Sequence, residues 1–501
     1  MEGLYAPGGD APVWFEGSRP RPQARDVVAV LQEAETRGLS PADYDADCLE
    51  RWLGAAGAGL APAEIGRFDA ALSLLFMRHL SDVHVGRVDP KSVTVAFEVE
   101  PKRLVLRQLV RDAIAGDRVR AVVEEAEPSL GQYRRLKKAL AGFRRLAADA
   151  SFVPVPEVKK LSPGDEYPGA PALGRLLVAL GDLAPDALPP PPAPGALPRY
   201  EGALVEAVRR FQERHGLNAD GVVGRGTFVL LNLTMARRVR LIELALERLR
   251  WLPVPADGPV IIVNLAGFRL WAIERSGGEP RPWLTTRVVV GRALRSQTPV
   301  LREELRFVIF RPYWNVPPAI ARNETLPAAR RDPGYLAAQD MELVAGDRDD
   351  SPVVPATAEN LARVGLGGLR IRQRPGPRNS LGRVKFVFPN DANVYLHDTP
   401  ARGLFARDRR DLSHGCVRVA EPVALAEWVL RGVPGWTRER IEKAMTAGPP
   451  QQVNLPAPIP VLLFYATATV DAQGRAAFFE DIYGHDRRLE ERLRGEEPGA
   501  P

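Results

Sequence analysis

The chain has 501 residues, 45% of them hydrophobic, and this length predicts about three domains rather than one core. The excess of Lys and Arg over Asp and Glu gives a formal net charge of +6. The basic residues form no long run, and no motif typical of nucleic-acid recognition is present. The sequence therefore argues against nucleic acid as a partner. It also holds no apolar run of about 18 residues, the minimum for a transmembrane helix.

The amino terminus and the cysteine content limit the cellular context. Residues Met1 to Gly8 lack both the basic region and the apolar core of a signal peptide. The two cysteines, Cys48 and Cys416, are too few for a disulfide framework. Nothing near Cys48 would activate a thiol, so we interpret it as a structural residue.

Residues 1–165 predict a helical scaffold domain, with helices over Gln23–Arg37 and Pro62–Leu80. Apolar side chains recur there at three-to-four spacing, and one face of the second helix holds Leu72, Leu75, Phe76 and Leu80. Charged and imidazole groups follow near its end, at Arg78, His79, His84 and Arg87. We expect these four residues to be a solvated helix end rather than a site.

Residues 168–234 predict a small three-helix module, interrupted by a stiff, proline-rich loop over Pro185–Pro198. An apolar helical stripe follows the loop, formed by Leu204, Val205, Val208 and Phe211. Asp220-Gly221 predicts a tight turn, and Thr227 is expected to cap the next helix. Residues 235–256 predict a helix that joins this module back to the scaffold.

From residue 257 the hydrophobic period changes to that of strands, which predicts a mainly β domain over 257–485. The predicted strands are 260–263, 268–273, 285–290, 306–310, 384–388 and 393–396, with edge strands at 464–469 and 477–482. The fold class is thus multidomain α+β.

More than seventy residues separate the strand ending at Phe310 from the one starting at Val384, which is too long for a simple connection. We interpret residues 318–383 as a capping insertion, or lid. Tyr313 and Trp314 precede it and either line a substrate groove or pack as ordinary core aromatics. Its last part, Arg372–Arg383, is rich in arginine.

The residues with reactive side chains are concentrated in Ser413-His414-Gly415-Cys416-Val417-Arg418. A second histidine, His397, lies 19 residues before Cys416. A thiol near its free pKa is mostly protonated at neutral pH, so a neighbouring imidazole must accept its proton or hold the thiolate. Gly415 permits a turn that points backbone amides at an oxyanion. Arg418 suits either a substrate carboxylate or a structural ion pair. No second cysteine stands at ligand spacing, so we discount zinc.

This motif resembles the signature of the L,D-transpeptidases, enzymes that cross-link bacterial peptidoglycan. The scaffold of the large periplasmic members is similar to three parts of this chain: Leu4-Tyr5 to Trp14-Phe15, Gly38 to Tyr44, and Gly86 to Pro90. Phe211-Gln212 to Leu231-Asn232 resembles the peptidoglycan-binding domain type 1. The resemblance implies a sandwich-like β catalytic domain with its nucleophile on a loop beside the central strands.

The resemblance also implies roles. Cys416 is the expected nucleophile, His397 the general base and acid, His414 a supporting residue, and Gly415 an oxyanion-hole residue. Expected substrate contacts are Arg418, Ser413, Tyr313 and Trp314. No cofactor or metal is expected.

Expected partners are peptidoglycan stem peptides and glycan, carbapenem inhibitors and other wall-synthesis proteins. A wall enzyme implies the periplasm, so we expect this sequence to be trimmed or to start at a wrong codon.

Two alternatives remain open. The same scaffold supports an L,D-carboxypeptidase or a hydrolase that cleaves cross-links, with water as acceptor. A non-catalytic wall-binding protein is the third interpretation, against which the paired Cys416 and His397 argue.

Overall fold

The computed structural model describes residues 11–495 except 57–59, 95–96, 100–101, 103, 192, 254–256, 276–281, 295, 365 and 367. Leu4 and Tyr5 of the predicted scaffold resemblance lie outside these residues. The chain divides into two compact units, one of residues 1–256 with 465–501 and one of residues 257–464. No helix in the described parts is long and apolar enough to cross a membrane.

The first unit opens with a short hairpin and a helical core. Its elements are β1 (Phe15–Glu16), β2 (Arg19–Pro20), α1 (Pro22–Gln32), α2 (Ala46–Ala56), α3 (Pro62–Val85), β3 (Phe97–Glu98), α4 (Leu106–Ala115), α5 (Val119–Ala126) and α6 (Gly131–Ala147). The two predicted helices are confirmed as α1, continued by a 3-10 turn to Arg37, and as α3. Leu72, Phe76 and Leu80 are fully buried on the predicted face of α3.

His79 contradicts the expected solvated helix end of α3. Its side chain is fully buried, with its ring edge-on to Tyr44 at a centroid distance of 4.8 Å. Neither ring nitrogen has a hydrogen-bond partner among the described residues. Burial, with the charges of Arg37 and Arg250, lowers the pKa of His79 to about 3. The sequence pattern misled because the flanking Arg78 is exposed while His79 points into the core.

The three-helix module is confirmed as α7 (Ala170–Ala179), α8 (Ala203–Arg214) and α9 (Arg225–Leu231). Its predicted apolar stripe is buried, and Gln212 joins α8 to the turn by accepting from the Gly221 amide and donating to the Val222 carbonyl, each at 2.9 Å. The predicted cap is wrong: α9 begins after Gly224, and Thr227 lies inside it, where its hydroxyl accepts from Gln212. Thr234 instead caps α10 (Met235–Arg250), the predicted connecting helix.

The second unit is built around a closed ring of strands. The strands of the unit are β4 (Gly258–Asn264), β5 (Arg269–Arg275), β6 (Pro282–Gly291), β7 (Val300–Phe310), β8 (Trp314–Asn315), β9 (Met341–Ala345), β10 (Val353–Val354), β11 (Leu369–Gln373), β12 (Val384–Val387), β13 (Leu396–His397), β14 (Asp411–Ser413), β15 (Val417–Val419) and β16 (Gln451–Phe464). Neighbours around the ring run β7, β12, β13, β15, β6, β5, β4, β16 and back to β7. The expected sandwich-like sheet is therefore closed at both edges.

Strand β16 was not predicted, although it is the longest partner of β7. The sequence places Pro456, Pro458 and Pro460 within it, and such residues normally mark the end of a strand. The pairing with β7 is interrupted between Asn454 and Ile459, so two of these prolines fall where the ladder is broken. The irregularity reconciles proline with a ring strand.

The capping insertion has a small core of its own. It contains α11 (Pro318–Ile320), α12 (Leu326–Arg331), α13 (Tyr335–Ala338) and α14 (Ala358–Arg363), with a sheet in the order β10, β9, β11, β8. A buried cluster includes Leu336, Leu343, Leu361 and Ile371. The insertion is therefore a folded subdomain rather than a loop. Helices α15 (Pro422–Leu430) and α16 (Arg438–Thr446) follow β15.

The carboxyl-terminal segment returns to the first unit as β17 (Ala468–Val470), β18 (Ala476–Phe478) and α17 (His485–Leu493). The predicted edge strands of the catalytic sheet are wrong in their pairing, because β17 and β18 pair with each other. Phe478 packs edge-on against Phe143 of α6 at 5.4 Å, which explains why this hairpin stays with the helical unit.

The buried His79 predicts acid sensitivity. Because its folded pKa lies below the unfolded value of about 6.5, the unfolded chain binds more protons, and stability is lost as pH falls from about 6.5 toward 3. Asp82, whose pKa burial raises to about 6, acts in the opposite direction below that pH, so the wild-type total is a balance. His79→Phe should remove only the first contribution.

The measurement is the free energy of unfolding in urea at pH 7 and pH 5 for wild type and His79→Phe. The variant should lose less stability between these pH values, by up to about 1.4 kcal/mol per pH unit. The control Arg67→Gln, an exposed position on the same helix, should follow wild type. Equal pH dependence in all three proteins would contradict a neutral buried His79.

Candidate active site

The strand register places the predicted site residues on one face of the ring. In the parallel pairing of β13 with β15, Leu396 lies opposite Val417 and His397 opposite Arg418. Leu396 and Val417 are fully buried in the core. Because side chains alternate along a strand, His397 and Arg418 lie on the opposite face, together with Cys416.

The adjacent strand β12 and the residue before β13 extend this face. Lys385 lies opposite His397, while its neighbour Phe386 pairs with Leu396 on the core side. Tyr395 precedes Leu396, and its carbonyl accepts from the Val417 amide at 3.1 Å. The Lys385 Nζ lies 3.7 Å from the centroid of the Tyr395 ring. Lys385 and Tyr395 were not identified from the sequence, although Tyr395 stands two residues before His397, the spacing of one strand face.

The turn before Cys416 is held from within and from the β6–β7 loop. Gly415 has a φ of +120°, a conformation that favours glycine. Its amide donates to the Ser413 hydroxyl, and that hydroxyl donates to the Cys416 carbonyl at 2.6 Å. Thr298 donates to the Gly415 carbonyl at 2.7 Å. Ser413, predicted as a substrate contact, is buried and used by the turn.

The turn is also fixed by a close approach of backbones at the end of β6. The Gly291 amide donates to Thr298, and a Cβ at Gly291 would lie 1.9 Å from the Ser296 carbonyl oxygen. The Ser296 hydroxyl in turn donates to the Ser413 carbonyl at 3.2 Å. Glycine is therefore required at 291 for this loop to support the cysteine turn.

His397 is buried, and its ring is oriented by the backbone. Its Nδ1 lies 2.5 Å from the Asp398 carbonyl oxygen. Because a carbonyl only accepts, this contact favours the tautomer that carries the ring proton on Nδ1. Burial and the charge of Arg418 lower the pKa of His397 to about 3, against hydrogen bonds at Asp398 and Leu381 that favour the cation. The ring is neutral at neutral pH.

The Asp398 side chain anchors the segment that carries His397. It is buried and accepts from the Arg383 amide at 2.9 Å, with ion pairs to Arg383 and Arg402 at 3.3 Å each. Gly382 has a φ of +64°, and a Cβ there would meet the Asp398 carboxyl at 2.5 Å. No local pattern indicated these partners, which lie 15 residues upstream and four residues downstream of Asp398.

The Cys416 thiol is half-buried, and its Sγ lies 3.7 Å from the Asn393 carbonyl oxygen. Burial raises the pKa of Cys416, while hydrogen bonds from Tyr395 and the charges of Lys385 and Arg418 oppose that rise. In the described residues, no hydrogen bond joins this thiol to His397. The resting site therefore combines a protonated thiol with a neutral imidazole on the same face.

His414 is exposed and connects the motif to the capping insertion. Its Nε2 lies 2.7 Å from the Glu324 Oε1, in the π-helical turn that follows α11. Neither residue's partner was predicted, because ninety positions separate them. The contact gives His414 a position beside the insertion rather than inside the buried face.

Tyr313 and Trp314, which precede the insertion, pack against it. The Arg372 guanidinium carbon lies 4.4 Å from the centroid of the Tyr313 ring, and Arg372 itself is buried in an ion pair with Glu342 at 2.6 Å. Trp314 packs against the buried cluster of the insertion. These positions favour the core-aromatic interpretation over a substrate groove. Cys48, expected to be structural, is half-buried on α2.

Among the described residues, no group of three or more His, Cys, Asp or Glu side chains is arranged to hold a metal ion.

Comparison with known families assigns three regions of the chain. Residues 1–140 match the "Scaffold domain", residues 175–231 the "Putative peptidoglycan binding domain", and residues 258–437 the "L,D-transpeptidase catalytic domain". A Haemophilus influenzae protein described as "Putative L,D-transpeptidase" is 34% identical over 243 residues. The match covers 48% of this chain, and it spans only about half, 47%, of the relative's length.

Two solved structures are similar at lower levels. The L,D-transpeptidase of Stackebrandtia nassauensis is 14% identical with a TM-score of 0.26, over 62% of this chain and 97% of that chain. The L,D-transpeptidase of Xylanimonas cellulosilytica (residues 123–326) is 18% identical with a TM-score of 0.20, over 62% and 99%. The chain is thus similar to L,D-transpeptidases through residues 258–437, and it carries further matches to a scaffold domain and a peptidoglycan-binding domain.

Proposed function

We propose that this protein forms 3-3 cross-links in peptidoglycan through a thioester on Cys416, with a tetrapeptide stem as donor. The observation that supports this most is the shared sheet face, where a half-buried thiol stands beside a buried, neutral imidazole whose Nδ1 is held by the Asp398 carbonyl. Such an arrangement suits proton transfer at the moment of attack.

The first half-reaction is acylation. As Cys416 Sγ attacks the carbonyl of the third stem residue, its proton passes to His397 Nε2, and a C–S bond forms. The C–N bond to the terminal D-alanine then breaks, and the protonated imidazole gives its proton to the leaving amine. A thioester and free D-alanine result, with the imidazole neutral again.

The second half-reaction reverses these roles. The side-chain amine of an acceptor stem attacks the thioester, His397 takes a proton from that amine, and the C–S bond breaks. The proton returns to the Cys416 sulfur. A new amide bond joins the third residues of two stems, and the enzyme is restored without a cofactor.

The oxyanion of each step needs a backbone donor. The Gly415 amide already donates to the Ser413 hydroxyl, so we assign the donor role to the Cys416 amide and give Gly415 the task of shaping the turn. This reassigns a role expected from the motif. His414 serves as a supporting residue at the contact with the insertion.

The cellular setting follows from the same chemistry. The family and the peptidoglycan-binding match support a location outside the cytoplasm, for which we propose the periplasm. Residues 175–231 would bind glycan. Carbapenems as covalent inhibitors and other wall-synthesis proteins as partners belong to this proposal.

Cys416→Ala should abolish both cross-linking and acylation while the protein remains folded, since the half-buried thiol contributes little to packing. The measurement is intact mass after incubation with a carbapenem, with the adduct located by peptide mapping. Cys48→Ala, the matched control, should form the adduct at the wild-type rate. An adduct on a serine, or turnover by Cys416→Ala, would refute the assignment of the nucleophile.

His397→Ala should slow acylation at least a hundredfold, roughly the lower limit for loss of a general base. The rate is measured by stopped-flow mixing with a carbapenem between pH 6 and 9. Since Cys416 has a raised pKa, the variant should recover part of its rate as pH rises and the thiolate forms. His414→Ala should cost less, and the opposite order of the two variants would exchange their roles.

Glu324→Gln tests whether the capping insertion decides between transfer and hydrolysis. Loss of the Glu324 carboxylate that contacts His414 should loosen the insertion over the thioester, admit water, and raise the ratio of tripeptide product to 3-3 dimer. Glu359→Gln, an exposed charge on α14 of the same insertion, is the control. Muropeptide mass spectrometry gives the ratio.

An unchanged ratio in a folded Glu324→Gln variant would remove this contact from the mechanism. Deletion within 335–365 is a poorer test, because it would remove Leu336, Leu343 and Leu361 from the core of the insertion.

A further inference from the structure

Two cations stand on the reactive face without a counter-ion. Among the described residues, neither Lys385 nor Arg418 has a carboxylate within ion-pair distance, and Arg418 Nε is buried without a hydrogen-bond partner. More deeply buried arginines elsewhere show two kinds of partner: Arg372 and Arg214 pair with Glu342 and Asp182, and Arg238 donates to backbone carbonyls. The Arg418 Nε has neither kind of partner among the described residues.

Their placement beside Cys416 follows from the sheet. Arg418 is two residues beyond Cys416 on β15, and Lys385 lies opposite His397 on β12. The Lys385 ammonium lies over the Tyr395 ring. Tyr395 and Cys416 are neighbours across the strand pair, because the residues that follow them, Leu396 and Val417, lie opposite each other. The two positive groups thus flank the predicted nucleophile from two different strands.

Keeping such charges partly out of water without a partner costs free energy, so the fold would retain them for an anion that arrives. The Cys416 thiolate is one anion, but it exists only briefly, since acylation converts it into a neutral thioester. The carboxylate of Asp349, in the turn between β9 and β10, acts on Lys385 only through its charge at a distance, because the two side chains form no ion pair. A substrate anion would satisfy both cations throughout the reaction.

We propose that Lys385 and Arg418 together bind a carboxylate of the donor stem next to the scissile bond. The inference rests on the proposed function for the identity of the donor. It adds Lys385 as a substrate-binding residue that the motif does not contain. Two donor carboxylates have the required chemistry: the terminal carboxylate of the leaving residue and the free carboxylate of the diamino acid.

The test measures binding without turnover, by titration calorimetry on a Cys416→Ala background. Three ligands are compared: the tetrapeptide stem, its carboxy-terminal amide, and a stem with lysine at the third position. Lysine keeps the side-chain amine of the diamino dicarboxylic acid that it replaces but lacks its second carboxylate. Lys385→Gln should weaken binding of the full tetrapeptide by about ten- to a hundredfold. Lys385→Arg should restore most of the affinity, and Lys443→Gln, an exposed lysine on α16, should leave it unchanged.

The modified ligands identify the carboxylate. Whichever ligand lacks the bound carboxylate should bind weakly to the parent protein, and Lys385→Gln should weaken it no further. An equal loss on all three ligands, or no loss on the tetrapeptide, would overturn the proposal.

A thiolate-holding role is separated by alkylation of Cys416 in otherwise wild-type protein. If Lys385→Gln slowed the alkylation of Cys416 by iodoacetamide but left the ligand affinity unchanged, the proposal of carboxylate binding would likewise be overturned. Failure of the proposed function has a different signature, namely wild-type protein that forms no acyl-enzyme with the tetrapeptide whatever the calorimetry shows.

Discussion

The parallel pairing of β13 with β15 decides where every reactive side chain points. Leu396 and Val417 face the core, so their neighbours His397, Cys416 and Arg418 must face the other way. A shift of one residue in this register would bury Cys416 among apolar side chains and expose Val417. The closed ring prevents such a shift, because β12 and β6 hold the pair from both sides.

The surroundings of the half-buried Cys416 thiol act on its pKa in opposite directions. Burial disfavours both the thiolate and the imidazolium, which keeps the pair neutral. The opposing influences are local: Tyr395 donates to the sulfur, and Lys385 and Arg418 supply positive charge. Under the proposed function, these groups would stabilise negative charge that appears during the reaction or arrives with the substrate.

Under the proposed function, the capping insertion sets the condition for choosing an acceptor. It is a folded subdomain with its own core, and its Glu324 contacts His414 beside the nucleophile, while Arg383 at its end binds Asp398. A folded subdomain can position a bulky amine, whereas a flexible loop would not. Under the proposed function, transfer and hydrolysis differ mainly in how this contact excludes water.

Local patterns in the sequence predicted much of the fold. The apolar spacing found α1, α3 and α8, the change of period marked the start of the β unit, and the Cys416 motif with His397 located the candidate site. The errors arose where long-range contacts override local signals. Thr227 is inside a helix because Gln212 reaches it, and β16 tolerates its prolines because its ladder is broken there.

Other features left no local trace at all. The terminal hairpin joins the helical unit through Phe478, and Asp398 is fixed by partners on both sides along the chain. Lys385 is an ordinary strand lysine until the register sets it opposite His397. Such residues are found only when the strands are paired, since each depends on a neighbour that the sequence does not place.

The most direct test of the central claim is mass spectrometry of muropeptides after the protein is incubated with peptidoglycan rich in tetrapeptide stems. The account predicts new dimers joined between third residues, released D-alanine in equal amount, and a transient thioester on Cys416 in the intact mass. Dimers of the 4-3 type, or D-alanine release without any Cys416 adduct, would contradict it.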